Sequence, residues 1–281
     1  MRIGLMSVCA ADLELDGVAA VAKEFGLEGL ELATGYLGKL RGEPQGKEWH
    51  IDTADLLASA ERAALAARAA GLEIFSLASR CAADELDRFE SLCRAAASIG
   101  CPQVRLGVGA YDAALGFWGS IDRSRDQLSQ AVERAREYNV RTVIELHDHT
   151  MADGVLASYY LVRDMDPREV GVIFDAGNAR VYGYQPWPEA LDILYDFIAH
   201  VHVKDVAWIR KGDQRVVDFV GPDEGLTEWP ELLKLLAARG YDGWLSIEDY
   251  RGGWCRKNPE WPTRKKVGEW KSYLDGIIAG L

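Results

Sequence analysis

Four short apolar runs in this chain each close on a side chain that can hold a cation or move a proton. They are Val143-Ile144-Glu145, Val172-Ile173-Phe174-Asp175, His200-Val201-His202-Val203-Lys204-Asp205 and Leu245-Ser246-Ile247-Glu248. Alternate side chains of a strand share a face, so His200 and His202 point the same way, with His200 one layer deeper. Were the four ends to meet, Glu145, Asp175, His202 and Glu248 would form one cluster of three carboxylates and an imidazole. Like charges a few ångströms apart cannot all stay ionised, and buried carboxylates are costly unless paired. A divalent cation meets both requirements. One imidazole with three oxygen donors suits Mn2+ or Mg2+, and Co2+ or Zn2+ are compatible. Singly, these residues say little: a strand-end glutamate is usually solvated, Asp175 before Ala-Gly-Asn also reads as a turn former, and a lone histidine is more often structural. The repetition on four successive strands carries the metal reading.

The elements that would position these ends follow from periodicity. Strands are expected over 2–8, 29–33, 72–78, 103–106, 142–146, 170–174, 198–203 and 244–247. Between them, helical spacing predicts helices over 13–25, 54–70, 85–99, 121–138, 155–163, 189–194, 229–238 and 263–278. Gly26, Gly71 and Gly100 stand where a helix-terminating glycine belongs. Long loops are expected over 35–50, 107–119 and 207–225. Strict alternation implies a parallel sheet. Eight such units fit an α/β chain folded as a single (β/α)8 TIM barrel over residues 1–281 better than an open doubly wound sheet. Gly107-Val-Gly109 falls too late, and lacks the third glycine, for a dinucleotide-binding turn. In a barrel all strand C-termini open on one face, and the four ends converge there.

Composition narrows the class. The 281 residues are 48% hydrophobic and 27% charged, with a formal net charge of −12. That is enough for a sizeable core, and the acidic balance disfavours a nucleic-acid partner. Five cysteines without paired spacing read as reduced thiols, the first residues read as a strand instead of a signal peptide, and no run is long enough to span a membrane. The expectation is a cytoplasmic protein with no membrane partner.

Further candidates surround the four ends. His147 shares the direction of Glu145 and is a substrate contact or an outlying support. Lys204 can bind a hydroxyl or phosphate, or pair with a nearby carboxylate. Glu31 ends the second strand and is expected on the same rim. His149 belongs to the following loop. Nine tryptophans are many, and Trp49, Trp118, Trp208, Trp254 and Trp261 fall in expected loops, where they suit the faces of a sugar or a homo-oligomeric interface equally. Arg251, Arg256 and Lys257 lie where many barrels hold phosphate, whereas Arg264-Lys265-Lys266 is expected to cover a helix surface.

Val143-Ile-Glu-Leu-His147, Ile173-Phe-Asp-Ala-Gly-Asn178, His200-Val-His-Val-Lys-Asp205 and Gly240-Tyr-Asp-Gly-Trp-Leu-Ser-Ile-Glu248 resemble the sugar phosphate isomerase/epimerase superfamily, the xylose isomerase-like TIM barrels. The resemblance spans nearly the whole chain. It implies one divalent metal on Glu145, Asp175, His202 and Glu248, with Glu145 and Glu248 as the acid/base pair of an enediolate isomerisation or epimerisation of a sugar or sugar-like ketose. Many members carry histidine three residues after the aspartate; here Asn178 stands there. Asparagine can hold a hydroxyl but cannot exchange a proton, so it bears on the substrate more than on the metal. The alternative implied is a lyase, of the inosose dehydratase kind, acting on a keto-inositol or oxidised sugar. An endonuclease IV-like enzyme needs more zinc ligands and a basic groove, and a sugar-binding barrel without activity would not need both glutamates.

Overall fold

The computed structural model describes residues 1–35, 49–253 and 258–281. The expected loop over 35–50, and the rim residues Trp254, Cys255, Arg256 and Lys257, lie wholly or largely outside the described residues. In chain order the elements are β1 (Arg2–Met6), α1 (Leu15–Glu24), β2 (Gly29–Gly35), β3 (Ile51–Asp52), α2 (Leu56–Ala70), β4 (Glu73–Ala78), α3 (Leu86–Ile99), β5 (Gln103–Arg105) and α4 (Gly116–Arg136). There follow β6 (Arg141–Glu145), α5 (Val155–Val162), β7 (Val170–Asp175), α6 (Ala176–Tyr182), α7 (Trp187–Leu194), β8 (Ile198–Val203), β9 (Asp205–Lys211), β10 (Gln214–Val220), α8 (Trp229–Ala238), β11 (Trp244–Ile247) and α9 (Thr263–Ile278).

Eight parallel strands close the barrel in the order β1, β2, β4, β5, β6, β7, β8, β11, because β1 pairs with both β2 and β11. Each is buried at most of its positions, as strands covered on both faces are. The helices stop where the glycines predict: Gly71 and Gly100 cap α2 and α3 in the left-handed conformation, at φ 76° and 75°. Without a Cβ, that conformation carries no steric penalty.

At the closed end of the barrel, Phe75 stacks on Trp244 with ring centroids 4.3 Å apart and meets His200 edge-on at 5.5 Å. Gly4 and Gly29 make room for this plug. A Cβ at either would sit 2.5 Å from the Phe75 or Trp244 ring.

Two features depart from the sequence expectation. The expected loop over 207–225 is largely an antiparallel hairpin, β9 with β10, turning at Gly212 (φ 64°). Its exposed, charge-rich strands hide the period-2 signal that buried strands show. The short helix α6 was not expected either; its N-terminus is capped by Asp175, whose side chain accepts from the Asn178 backbone N–H. No described helix is long and apolar enough to cross a membrane.

Candidate metal centre and active-site cavity

The barrel register does what the strand ends require. Asp175 pairs with His202 across β7 and β8, and His202 pairs with Ser246 across β8 and β11, while Glu145 and Glu248 close neighbouring tips. His202 Nδ1 lies 3.1 Å from Glu145 Oε1, 3.2 Å from Glu248 Oε2 and 3.6 Å from Asp175 Oδ2. One ligand atom from each of the four residues falls within 4.8 Å of all the others, and all four residues are buried. Cations of the Mg2+ or Zn2+ type hold their donors at about 2.1 Å, which separates neighbouring donors by roughly 3.0–3.4 Å in octahedral or tetrahedral geometry. The three imidazole-to-carboxylate edges centre on that range. The donor set fits one divalent ion.

The charges of the centre agree with that fit. Lys204 Nζ sits 2.5 Å from Asp175 Oδ2 and 2.8 Å from Glu248 Oε2, and Arg105 Nη2 sits 2.7 Å from Glu145 Oε2. Counting Glu31 with the three acids, four buried carboxylates face two fixed cations, leaving two negative charges when His202 is neutral, as a metal ligand must be. Burial pushes Glu145 and Glu248 up, but neighbouring cations outweigh it and both are held well below the usual carboxylate range: chiefly Arg105 for Glu145, His202 and Lys204 for Glu248. Burial lowers His202, and the surrounding Glu248, Glu31 and Glu145 overcome it and hold the imidazole well above its ordinary value. Tyr250 donates its hydroxyl to Glu248 Oε1 at 2.8 Å, and Asn178 donates to Asp175 Oδ2 at 2.9 Å. Gly177 of the Asp-Ala-Gly-Asn run leaves room for the Lys204 stem, since a Cβ there would lie 2.9 Å from Lys204 Cγ.

Above the centre opens a cavity of about 600 Å³. Of the four ligand-type residues, the two glutamates reach its wall and Asp175 and His202 do not. His147, Asn178 and Lys204 line it as expected, joined by Trp49, Arg105 and Tyr250. Arg105 and Tyr250 escaped the sequence reading: Arg105 at the tip of β5 offered a strand-end signal like the others, whereas Tyr250 lies past its strand with no periodicity to place it. His147 is half-exposed and turned to Asp148, with Nδ1 2.7 Å from a carboxylate oxygen.

Three placements correct the expectation. Glu31 is not on the rim; it is wholly buried beneath His202, at the level of His200. Arg251 is spent on Asp249 and Glu269, both 2.6 Å away. Lys266 is buried instead of covering a helix surface, donating to the carbonyls of Cys9 and Asp249. Both tie α9 to the barrel. His149 stays exposed in its loop, whereas Trp118, expected in a loop, is exposed in the first turn of α4.

The family model described as xylose isomerase-like TIM barrel matches residues 19–272. The chain belongs to that family. Among curated relatives, an inosose dehydratase of Lacticaseibacillus casei is 28% identical over 142 residues, 45% of this chain and 46% of that protein; the chain thus aligns with about half the length of such relatives. Among solved structures, 3-keto-D-glucoside 4-epimerase YcjR of E. coli superposes with a TM-score of 0.71 at 16% identity, covering 99% of each chain. The IOLI protein, solved with a binding zinc atom, gives 0.71 at 16% identity over 100% of this chain and 97% of its own. These structural likenesses establish the shared fold, and two of these proteins, the dehydratase and the epimerase, are enzymes.

Proposed function

We propose that this family member is a divalent-metal-dependent enzyme that enolises a sugar or sugar-like ketose, isomerising or epimerising it. The single observation that carries the reading is the division of labour in the centre: four residues fit a metal ion, yet only Glu145 and Glu248 also face the cavity. A bound divalent ion supplies the Lewis acidity that polarises a carbonyl and its neighbouring hydroxyl. Proton transfer falls to the chain's own groups. Glu145 and Glu248, held ionised, reach the cavity from different strands, so one removes the proton next to the carbonyl and the other returns it. Tyr250 and Lys204 fix Glu248, and Arg105 fixes Glu145, so that neither base needs to reorganise. Lys204 places a positive charge beside the developing enediolate, and Trp49 offers a flat apolar face to carbon-bound hydrogens. Mn2+ or Mg2+ suits the oxygen-rich set best.

Dehydration is the second reading, favoured by the similarity to inosose dehydratases. It shares the first proton removal; the enediolate then expels a hydroxyl group. Metal-loaded protein incubated in D2O with ketoses, keto-inositols and oxidised sugars tests both. Deuterium at the carbon next to the carbonyl supports enolisation, and the product separates an isomer from a dehydrated ketone. Metal-bound protein that exchanges no proton across the panel overturns the proposal.

A further inference from the structure

Beneath the metal centre lies a buried polar layer that the proposed chemistry does not use. Glu31 Oε2 accepts from His202 Nε2 at 2.9 Å, His200 Nε2 at 3.1 Å and Ser246 Oγ at 2.8 Å; its Oε1 accepts from Ser76 Oγ at 3.3 Å. On the far side of His200, Gln103 Nε2 is 2.9 Å from Nδ1. Glu31, Ser76, His200, His202 and Ser246 are wholly buried, and Gln103 nearly so. In such a dry layer a polar group without a partner is costly, so the protons must satisfy every contact.

One arrangement does so with both imidazoles neutral, once a metal has replaced the proton that His202 Nδ1 otherwise shares with the carboxylates above it. The amide of Gln103 donates to His200 Nδ1, which leaves the His200 proton on Nε2 to meet Glu31. A second N–H, from His202 Nε2, meets the same carboxylate oxygen. His202 is then left with a lone pair on Nδ1, the nitrogen that faces Glu145, Asp175 and Glu248. Although Glu31, His200 and His202 are themselves a metal-type trio, the donors already filling Glu31 Oε2 satisfy it without an ion.

We infer that Glu31 is the positioning residue of the metal centre: through the His202 Nε2–H bond it fixes the tautomer and the ring angle that present Nδ1 to the metal. The inference rests on the metal reading above. Carboxylates that hold the second ring nitrogen of a ligand histidine are worth about 10–100-fold in metal affinity. The role explains why a carboxylate occupies the barrel interior, where an apolar side chain would pack at lower cost.

The test is metal affinity and coordination, read without any substrate. Glu31→Gln keeps the shape but replaces the charged acceptor of His202 Nε2–H, His200 Nε2–H and Ser246 Oγ–H by a neutral carbonyl, which weakens the hold on the His202 ring. Expected are a Mn2+ dissociation constant raised about 10–100-fold and an altered visible spectrum of the Co2+-loaded protein. Wild-type affinity and an unchanged Co2+ spectrum in Glu31→Gln overturn the inference. Should that variant not fold, 15N-histidine NMR of the wild-type protein decides. The resonance that responds to Zn2+ should show Nε2 protonated and Nδ1 bound, and the opposite assignment refutes the role. Failure of the metal reading itself looks different, because wild-type protein would then bind neither Mn2+ nor Zn2+.

Discussion

Replacing Lys204 by methionine should weaken the metal-free protein and strengthen its response to metal. In the structure the ammonium bridges Asp175 and Glu248 at 2.5 and 2.8 Å, the same carboxylates that would face the ion. It therefore stabilises the centre and also competes for it. Without it, the centre carries one more negative charge. Removing one partner of a buried pair costs about 3–5 kcal/mol, which in a chain of this size lowers the melting temperature by roughly 6–20 °C at about 2–4 °C per kcal/mol. For wild-type protein, metal at 100 times its dissociation constant adds about 2.7 kcal/mol, or roughly 5–11 °C. In Lys204→Met the same metal concentration also offsets the charge that the lysine had met, so the shift must be larger. The assay is thermal unfolding after chelation and dialysis, with and without Mn2+. A metal-induced shift in Lys204→Met equal to or smaller than that of wild type would refute the reasoning, because the ion and the ammonium would then not share carboxylates.

Two further outcomes follow from the ionisation of named groups. His202 is held above its ordinary value in the metal-free protein, so its contribution to stability is complete below about pH 6.5 and is lost as pH rises through the raised value. Glu145 and Glu248 are held low, so theirs is present above about pH 4.5 and is lost on acidification. A metal must displace the His202 proton, so the thermal shift on adding Mn2+ should grow as pH rises and keep growing above about pH 6.5, towards the raised value; a shift independent of pH contradicts this. Burial pushes the thiols of Cys9, Cys81, Cys93 and Cys101 up to about 12. Iodoacetamide at pH 8 should therefore leave the four peptides that carry them unmodified in the native protein, as mass spectrometry can check, and rapid labelling of any one would show that its site opens.

The strand tips were legible because period-2 alternation and convergence at one barrel face are properties of the backbone. Any sequence with apolar runs ending in Glu145, Asp175, His202 and Glu248 displays them. Glu31 reads as a strand end in the sequence, but β2 continues to Gly35, so Glu31 sits mid-strand beside His200 while Ala33, Thr34 and Gly35 reach the cavity; depth along a barrel also depends on stagger between strands that no single strand reveals. The β-bulge between Leu30 and Glu31, where β2 shifts register against β4, is one source of that stagger. Arg251 and Lys266 read as surface or phosphate-facing charges because their partners, Asp249, Glu269 and the Cys9 carbonyl, come close only in the folded chain. The β9–β10 hairpin was hidden by solvent exposure, although Lys211-Gly212-Asp213-Gln214 supplied a turn.

The most direct measurement is a crystal grown with Mn2+ and examined by anomalous scattering. The account predicts one strong peak among Glu145, Asp175, His202 Nδ1 and Glu248, about 2.0–2.3 Å from one atom of each. No peak there, or a peak between Glu31 and His200 instead, would contradict it.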